Sequence, residues 1–105
     1  MTGIRPKQYT RMGEFYLEEA VLDVLLNAKH EGECIGAAEI SKRTGIFREK
    51  GDSVRGSPAA MNDAIVHGIL IKLIHANRVE RCEQENGKKG YELTASEFTQ
   101  RRDDV

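Results

Sequence analysis

Leu17, Ala20, Val21, Val24, Leu25 and Ala28 recur at alternating intervals of three and one, which gathers them on one face of a helix opposite Glu14, Glu18, Glu19 and Asp23. The pattern opens at Phe15 and predicts a first helix ending near Lys29, His30 and Gly32. Cationic groups suit a last helical turn, and a following glycine stops it. Glu33-Cys34-Ile35 is too short for a helix and precedes Gly36, so it predicts a brief strand or extended bridge. A second helix follows from Ala37 to Arg43, with Ala37 or Ala38 and Ile40 inward. Thr44-Gly45-Ile46 closes it with a glycine that takes the left-handed backbone at low cost.

Residues 47–56, FREKGDSVRG, hold two glycines and five charges and predict a loop. The clearest helix start in the chain comes next: Ser57 as cap, Pro58 at the first helical position, then Ala59 and Ala60. Met61, Ala64, Ile65, Gly68, Ile69, Lys72 and Leu73 trace one stripe of this helix. Val66, Leu70, Ile71 and Ile74 make it apolar over much of its girth, so it is expected to be largely buried, ending at Asn77 in a left-handed conformation.

Two extended runs, 78–84 and 89–94, flank Glu85-Asn86-Gly87, and Asn-Gly between such runs signals a hairpin. Tyr91 and Leu93 alternate with Gly90, Glu92 and Thr94, so one face packs inward. Residues 95–102 predict a last short helix capped by Thr94 or Ser96 and anchored by Phe98. The resulting organisation is a mobile N-terminal arm at 1–14, one domain over 15–100 and a frayed tail at 101–105. The fold class is α+β, mainly α.

Composition narrows the function classes. A chain of 105 residues with 39% hydrophobic and 31% charged residues has the make-up of one folded domain with one modest core. It lacks an apolar run long enough for a bilayer and an apolar signal core after its basic N-terminus, which leads to the expectation of a cytoplasmic protein without membrane contact. Cys34 and Cys82 have no CxxC spacing, so they are read as small buried hydrophobes and not as a disulfide framework or a zinc knuckle. His30, His67 and His75 offer no metal-ligand spacing, and no nucleophile elbow, phosphate loop, paired catalytic carboxylates or HExxH is present. The chain is therefore expected to be no enzyme and to carry no metal or cofactor.

The net charge of −1 hides a strong segregation. Residues 1–12 hold Arg5, Lys7 and Arg11 with no acid, a local sum of +3. Residues 13–33 set Glu14, Glu18, Glu19, Asp23, Glu31 and Glu33 against Lys29, a sum of −5. Residues 42–55 set Lys42, Arg43, Arg48, Lys50 and Arg55 against Glu49 and Asp52, a sum of +3.

The order helix, short strand, helix, glycine turn, long helix, hairpin resembles the winged helix-turn-helix family over residues 15–98. AAEISKRTGI at 37–46 is similar to that family's first turn-motif helix, and NRVERCEQENGKKGYELTASEF at 77–98 to its wing. The chain departs from the family in the gap between the two turn-motif helices, which is about ten residues from Ile46 to Ser57 instead of three or four. The resemblance implies a three-helix core with a short strand and a C-terminal wing. It also implies that the N-terminal half of the 58–76 helix enters the major groove of double-stranded DNA. Asn62 would then read adenine, with Asp63 and His67 beside it, and an arginine of the preceding loop would read guanine. That helix carries no arginine, so phosphate contacts fall to Lys42, Arg43, Arg48, Lys50 and Arg55 and to Lys88 and Lys89 at the wing tip. Seven engaged cations imply a log-log salt slope of about −6.

Each of these residues also has a plainer reading. Asp63 complements a helix dipole, Lys88 and Lys89 suit a solvated turn, and the 47–56 segment suits a solvated loop. The acidic first helix and the near-neutral long helix keep a second function open, a winged helix that binds a protein partner without DNA. The apolar girth of the long helix also leads to the expectation of a homodimer, which the first helix or the 1–14 arm would equally serve.

Overall fold

The computed structural model describes residues 6–46 and 58–103, with side chains described for 6–46 and 64–102. The chain is α+β and mainly helical. In order it forms α1 (Pro6–His30), α2 (Ala37–Thr44), α3 (Pro58–His75), β1 (Val79–Glu83), β2 (Lys89–Leu93) and α4 (Ala95–Asp103). α1 begins at Pro6, well ahead of the Phe15 at which the hydrophobic pattern opens, so residues 6–14 of the expected arm are helical. Pro6 fits that first position because its missing N–H has no helical partner to lose.

Three helices end in the same way. The Glu33 N–H donates to the Ala28 carbonyl and that of Gly32 to Lys29, with Gly32 at φ 71°. The Ile46 N–H donates to Ser41 and that of Gly45 to Lys42, with Gly45 at φ 76°. The Arg78 N–H donates to Leu73 and that of Asn77 to Ile74, with Asn77 at φ 59°. Each is a left-handed residue that turns the chain out of the helix while satisfying carbonyls the helix leaves open.

The core is one cluster built by Val21, Leu22, Leu25 and Ala28 of α1, Ile40 of α2, Val66, Ile69, Leu70 and Leu73 of α3, and Val79, Leu93 and Ile35. α3 is buried on one face only: Ile65 and Ile71 are about half exposed, at 47% and 51%, where its composition predicts a largely buried helix. In so small a domain one helix has neighbours on one side, and an apolar girth does not create more.

β1 and β2 pair antiparallel from Val79 opposite Leu93 to Glu83 opposite Lys89, with Gly87 at φ 83° in the turn between them. The predicted short strand at 33–35 is reduced to one rung, in which the Tyr91 N–H donates to the Ile35 carbonyl at 2.8 Å. α4 is capped by Thr94, whose hydroxyl accepts from the Glu97 N–H at 3.3 Å. Phe98 packs on the core, its ring edge-on to His30 with centroids 5.2 Å apart.

The reading of the two cysteines is corrected by the fold. Cys34 and Cys82 form a disulfide, with Cα atoms 6.1 Å apart and a sequence separation of 48. The Ile35–Tyr91 rung lays the α1–α2 connection beside the hairpin and so brings Cys34 to Cys82 of β1. Gly90, paired with Cys82, lies beneath this contact: a Cβ there would stand 2.7 Å from the Cys34 Sγ and 2.8 Å from the Ile35 carbonyl oxygen.

Two outcomes follow for stability. Reduction of the disulfide lowers the unfolding free energy by about 2–4 kcal/mol, because the released loop is long. Urea unfolding with and without reductant measures this, and coincident curves refute the cross-link. Gly90→Ala costs about 1–3 kcal/mol through overpacking and is read in the same way under oxidising conditions.

Candidate nucleic-acid interface

α2 and the hairpin are held together at one end. The Gln84 side-chain amide donates to the Lys89 carbonyl at 2.9 Å, and its nitrogen stands 3.0 Å from where a Gly36 Cβ would be. Gly36 is the N-cap of α2. The close contact places the Gln84 side chain of the hairpin against the start of the helix. Lys88 and Lys89 are exposed at that tip, and the Lys88 N–H donates to the Asn86 side-chain oxygen at 2.9 Å.

Lys42 and Arg43 lie in the last turn of α2, at the end away from the hairpin tip. Lys42 is exposed and has no ion pair among the described residues. Arg43 is engaged. Its Nε donates to Glu39 at 2.9 Å and its Nη2 to Glu33 at 3.0 Å. Those two bonds, Glu39 first, raise its pKa above the ordinary arginine value. A phosphate would have to displace two carboxylates to use it.

His67 is exposed on α3 and meets the hairpin, its ring edge-on to Tyr91 at 6.4 Å. The rest of the outer face of α3, among the residues with described side chains, is Ala64, Ile65, Gly68, Ile71, Lys72 and His75. Lys72 is tied to Glu14 at 2.9 Å and Glu18 at 3.2 Å. The side chain of Asn62 and the whole of Arg48, Lys50 and Arg55 lie outside the described residues, as does Ser57. The structure thus brings His67 to the hairpin and sets Lys88 and Lys89 against the opposite end of α2 from Lys42 and Arg43.

Beside the hairpin tip opens a groove of about 660 Å³ whose charged lining is Glu31, Glu33, Glu39, Glu83, Glu85 and Arg43. Five carboxylates against one guanidinium repel an approaching phosphate. Glu31 is held above the usual carboxylate range by the hydrogen bond and charge of Glu33, and Glu33 below it by that bond and by Arg43. This groove is an acidic face, gathered from the end of the acidic 13–33 run, from α2 and from the hairpin.

A second cluster removes two more cations from any ligand. Arg78 Nε donates to Glu97 at 2.8 Å, and Arg101 donates to Glu19 at 2.6 Å and Asp23 at 2.9 Å. Arg101 also reaches Glu97 at 3.5 Å. These pairs fasten α4 to α1 and to the start of the hairpin. Sequence reasoning assigned no role to Arg78 and treated Arg101 as part of a tail. It also passed over Arg81, exposed on β1 with no ion pair among the described residues. The one sequence signal for the cluster is the Thr94-x-x-Glu97 spacing, which marks Glu97 as an inward first-turn residue.

Comparison with protein-family models, with curated proteins and with solved structures finds no match.

Glu97, 7% exposed, has its pKa lowered chiefly by the hydrogen bond from Arg78, against the opposing effect of burial. A carboxylate whose folded pKa is depressed contributes stability above its unfolded pKa and loses it as pH falls through the folded value. Glu97→Gln is therefore expected to cost about 1–3 kcal/mol at neutral pH. The gap from wild type narrows as pH drops below the ordinary carboxylate range. Urea titrations from pH 7 to pH 3 check this, and a pH-independent gap contradicts it.

Proposed function

We propose that this chain is a winged helix-turn-helix protein that binds double-stranded DNA, without catalysis, as a cytoplasmic transcriptional regulator. The observation that carries the reading is how the described cations divide. Lys29, Arg43, Lys72, Arg78 and Arg101 are all committed to carboxylates. Lys42 in the last turn of α2 and Lys88 and Lys89 at the hairpin tip have no ion pair among the described residues, and neither do Lys7 and Arg11 of α1 or Arg81 of β1. The first three are positions from which the family's resemblance draws phosphate contacts. The succession of α2, α3 and a hairpin bridged back to Ile35 supports the same reading.

In this proposal Lys42, Lys88 and Lys89 hold phosphates and His67 sits between helix and wing. Asn62 reads a base, and Arg48, Lys50 and Arg55 of the preceding segment add phosphate contacts, with one of the arginines also reaching a guanine. Arg43 acts on α2 and not on DNA. Among the described residues no helix is long and apolar enough to cross a membrane. A reducing compartment would keep Cys34 and Cys82 largely as thiols, so the disulfide marks the oxidised form.

A second reading has its own support: the half-exposed Ile65 and Ile71 on α3 suit a protein partner better than a phosphate backbone. Fluorescence anisotropy with random duplex across a salt series separates the two. With Arg43 withdrawn, six cations remain, and the expected log-log slope is about −5. Replacing Lys88 and Lys89 by alanine makes it shallower by about two. Absence of binding at low salt rejects the DNA proposal and leaves the protein partner.

A further inference from the structure

We infer that the first three turns of α1 are a self-association surface, on which a second copy of this chain packs antiparallel about Met12 and Gly13. Every residue from Pro6 to Tyr16 is exposed, while burial begins only with Leu17 and becomes complete at Val21. An isolated helical segment of this length is marginal in water, since helices under about 12–15 residues rarely hold without packing. The segment nonetheless carries the largest exposed apolar side chains of α1: Tyr9 at 61%, Met12 at 46%, Phe15 at 55% and Tyr16 at 65%.

Tyr9, Met12, Gly13 and Tyr16 fall at i, i+3, i+4 and i+7, which makes one stripe along the helix. The stripe is symmetric about its own centre. A two-fold axis between Met12 and Gly13 sets Tyr9 opposite Tyr16 of the other copy and Met12 opposite its Gly13, so one surface complements itself, as a two-fold contact requires. Gly13 has no atom within 4 Å of a would-be Cβ, which leaves open space at the centre where another helix can approach closely. Phe15 flanks the stripe.

The symmetry of the stripe selects the occupant, and charge adds only a bias to the orientation. Lys7 and Arg11 occupy the first part of α1 without an acid, and Glu14, Glu18, Glu19 and Asp23 follow, the first two already paired with Lys72 and the last two with Arg101. Antiparallel pairing brings the basic end of one copy to the level of the acidic stretch of the other, whereas parallel pairing sets like charge beside like. At helix-to-helix distances this favours register and direction more than affinity. With the flanking Phe15 counted in full, the four exposed side chains present roughly 450–500 Å² per copy, so a pair buries at most about 1,000 Å², the low end for a specific interface. A weak, concentration-dependent dimer is the expected form. The surface lies on α1, apart from Lys42, Lys88 and Lys89, so it stands whether or not the DNA proposal does.

Sedimentation velocity of the full chain over a concentration series tests it, without nucleic acid. Wild type is expected to shift from monomer to dimer. Tyr16→Glu, at an exposed position, weakens association by about tenfold or more with unfolding unchanged. Gly13→Gln separates association from folding: it improves helix propensity in the monomer yet fills the centre of the contact, so dimerisation falls while thermal stability holds or rises. A photo-crosslinking benzoylphenylalanine at position 9 is expected to join the tryptic peptide 8–11 of one copy to the peptide 12–29 of an isotopically distinct one. A wild type that stays monomeric at the highest concentration, variants that dimerise as wild type does, or adducts between two 8–11 peptides each overturn the inference.

Discussion

The backbone rung between Ile35 and Tyr91 is the contact on which the arrangement of this small domain depends. An isolated hairpin is marginal in water, and beside this rung it is held to the rest of the chain by side-chain packing, by the Cys34–Cys82 disulfide and by Lys29 of α1, which donates to Glu92 and to the Leu93 carbonyl. With the rung, the α1–α2 connection becomes a partial third strand, Cys34 comes to Cys82, and Gly90 must stay without a side chain. The start of α2 is then close enough for Gln84 to close over Gly36. The hairpin tip therefore lies against the start of α2. Any ligand that touches Lys88 and Lys89 is referenced through this rung to the helices.

Local chemistry was the most legible part of the sequence. Gly32, Gly45 and Asn77 stop helices at their written positions because positive φ is a property of the residue and its neighbours, with little dependence on the rest of the fold. Val79 to Leu93 forms a hairpin for the same reason, with Asn86-Gly87 at its turn. The start of α1 was less legible. Residues 6–14 have no apolar stripe that continues the Leu17–Ala28 face, since the stripe they do have, Tyr9 to Tyr16, points away from the core. A pattern search tuned to one buried face passes over a helix whose apolar face has no partner in the same chain.

What the sequence hid depends on distance. Cys34 and Cys82 are 48 positions apart, and neither has a neighbour that signals a partner. The outer face of α3 was hidden for a related reason: Ile65, Ile69, Ile71 and Leu73 look alike in a window, and only the position of α1 and α2 decides that Ile69 and Leu73 are inside. Among the candidate contacts, Arg43 was chosen by charge and sequence neighbourhood. Its partner Glu33 lies in the connection before α2, and only the folded chain shows that its charge is already answered.

Net charge is a poor guide for such a molecule, and the reason is geometric. Among the described residues the charge divides into an acidic groove beside the hairpin, ion pairs that fasten α4 and α3 to α1, and cations left without carboxylates. On the DNA proposal, five carboxylates lining one side of the hairpin tip forbid an approach from that side. The duplex must then come over Lys42 and the first turns of α3, with the groove turned away. That geometry makes Lys88 and Lys89 contacts at the edge of the footprint, which position the protein on the backbone, and leaves sequence reading to the start of α3 and the segment before it. On this proposal the described phosphate contacts are Lys42, Lys88 and Lys89 alone, so affinity for a defined site would depend on two copies acting together. The α1 surface, which includes none of Lys42, Lys88 and Lys89, allows pairing without covering them.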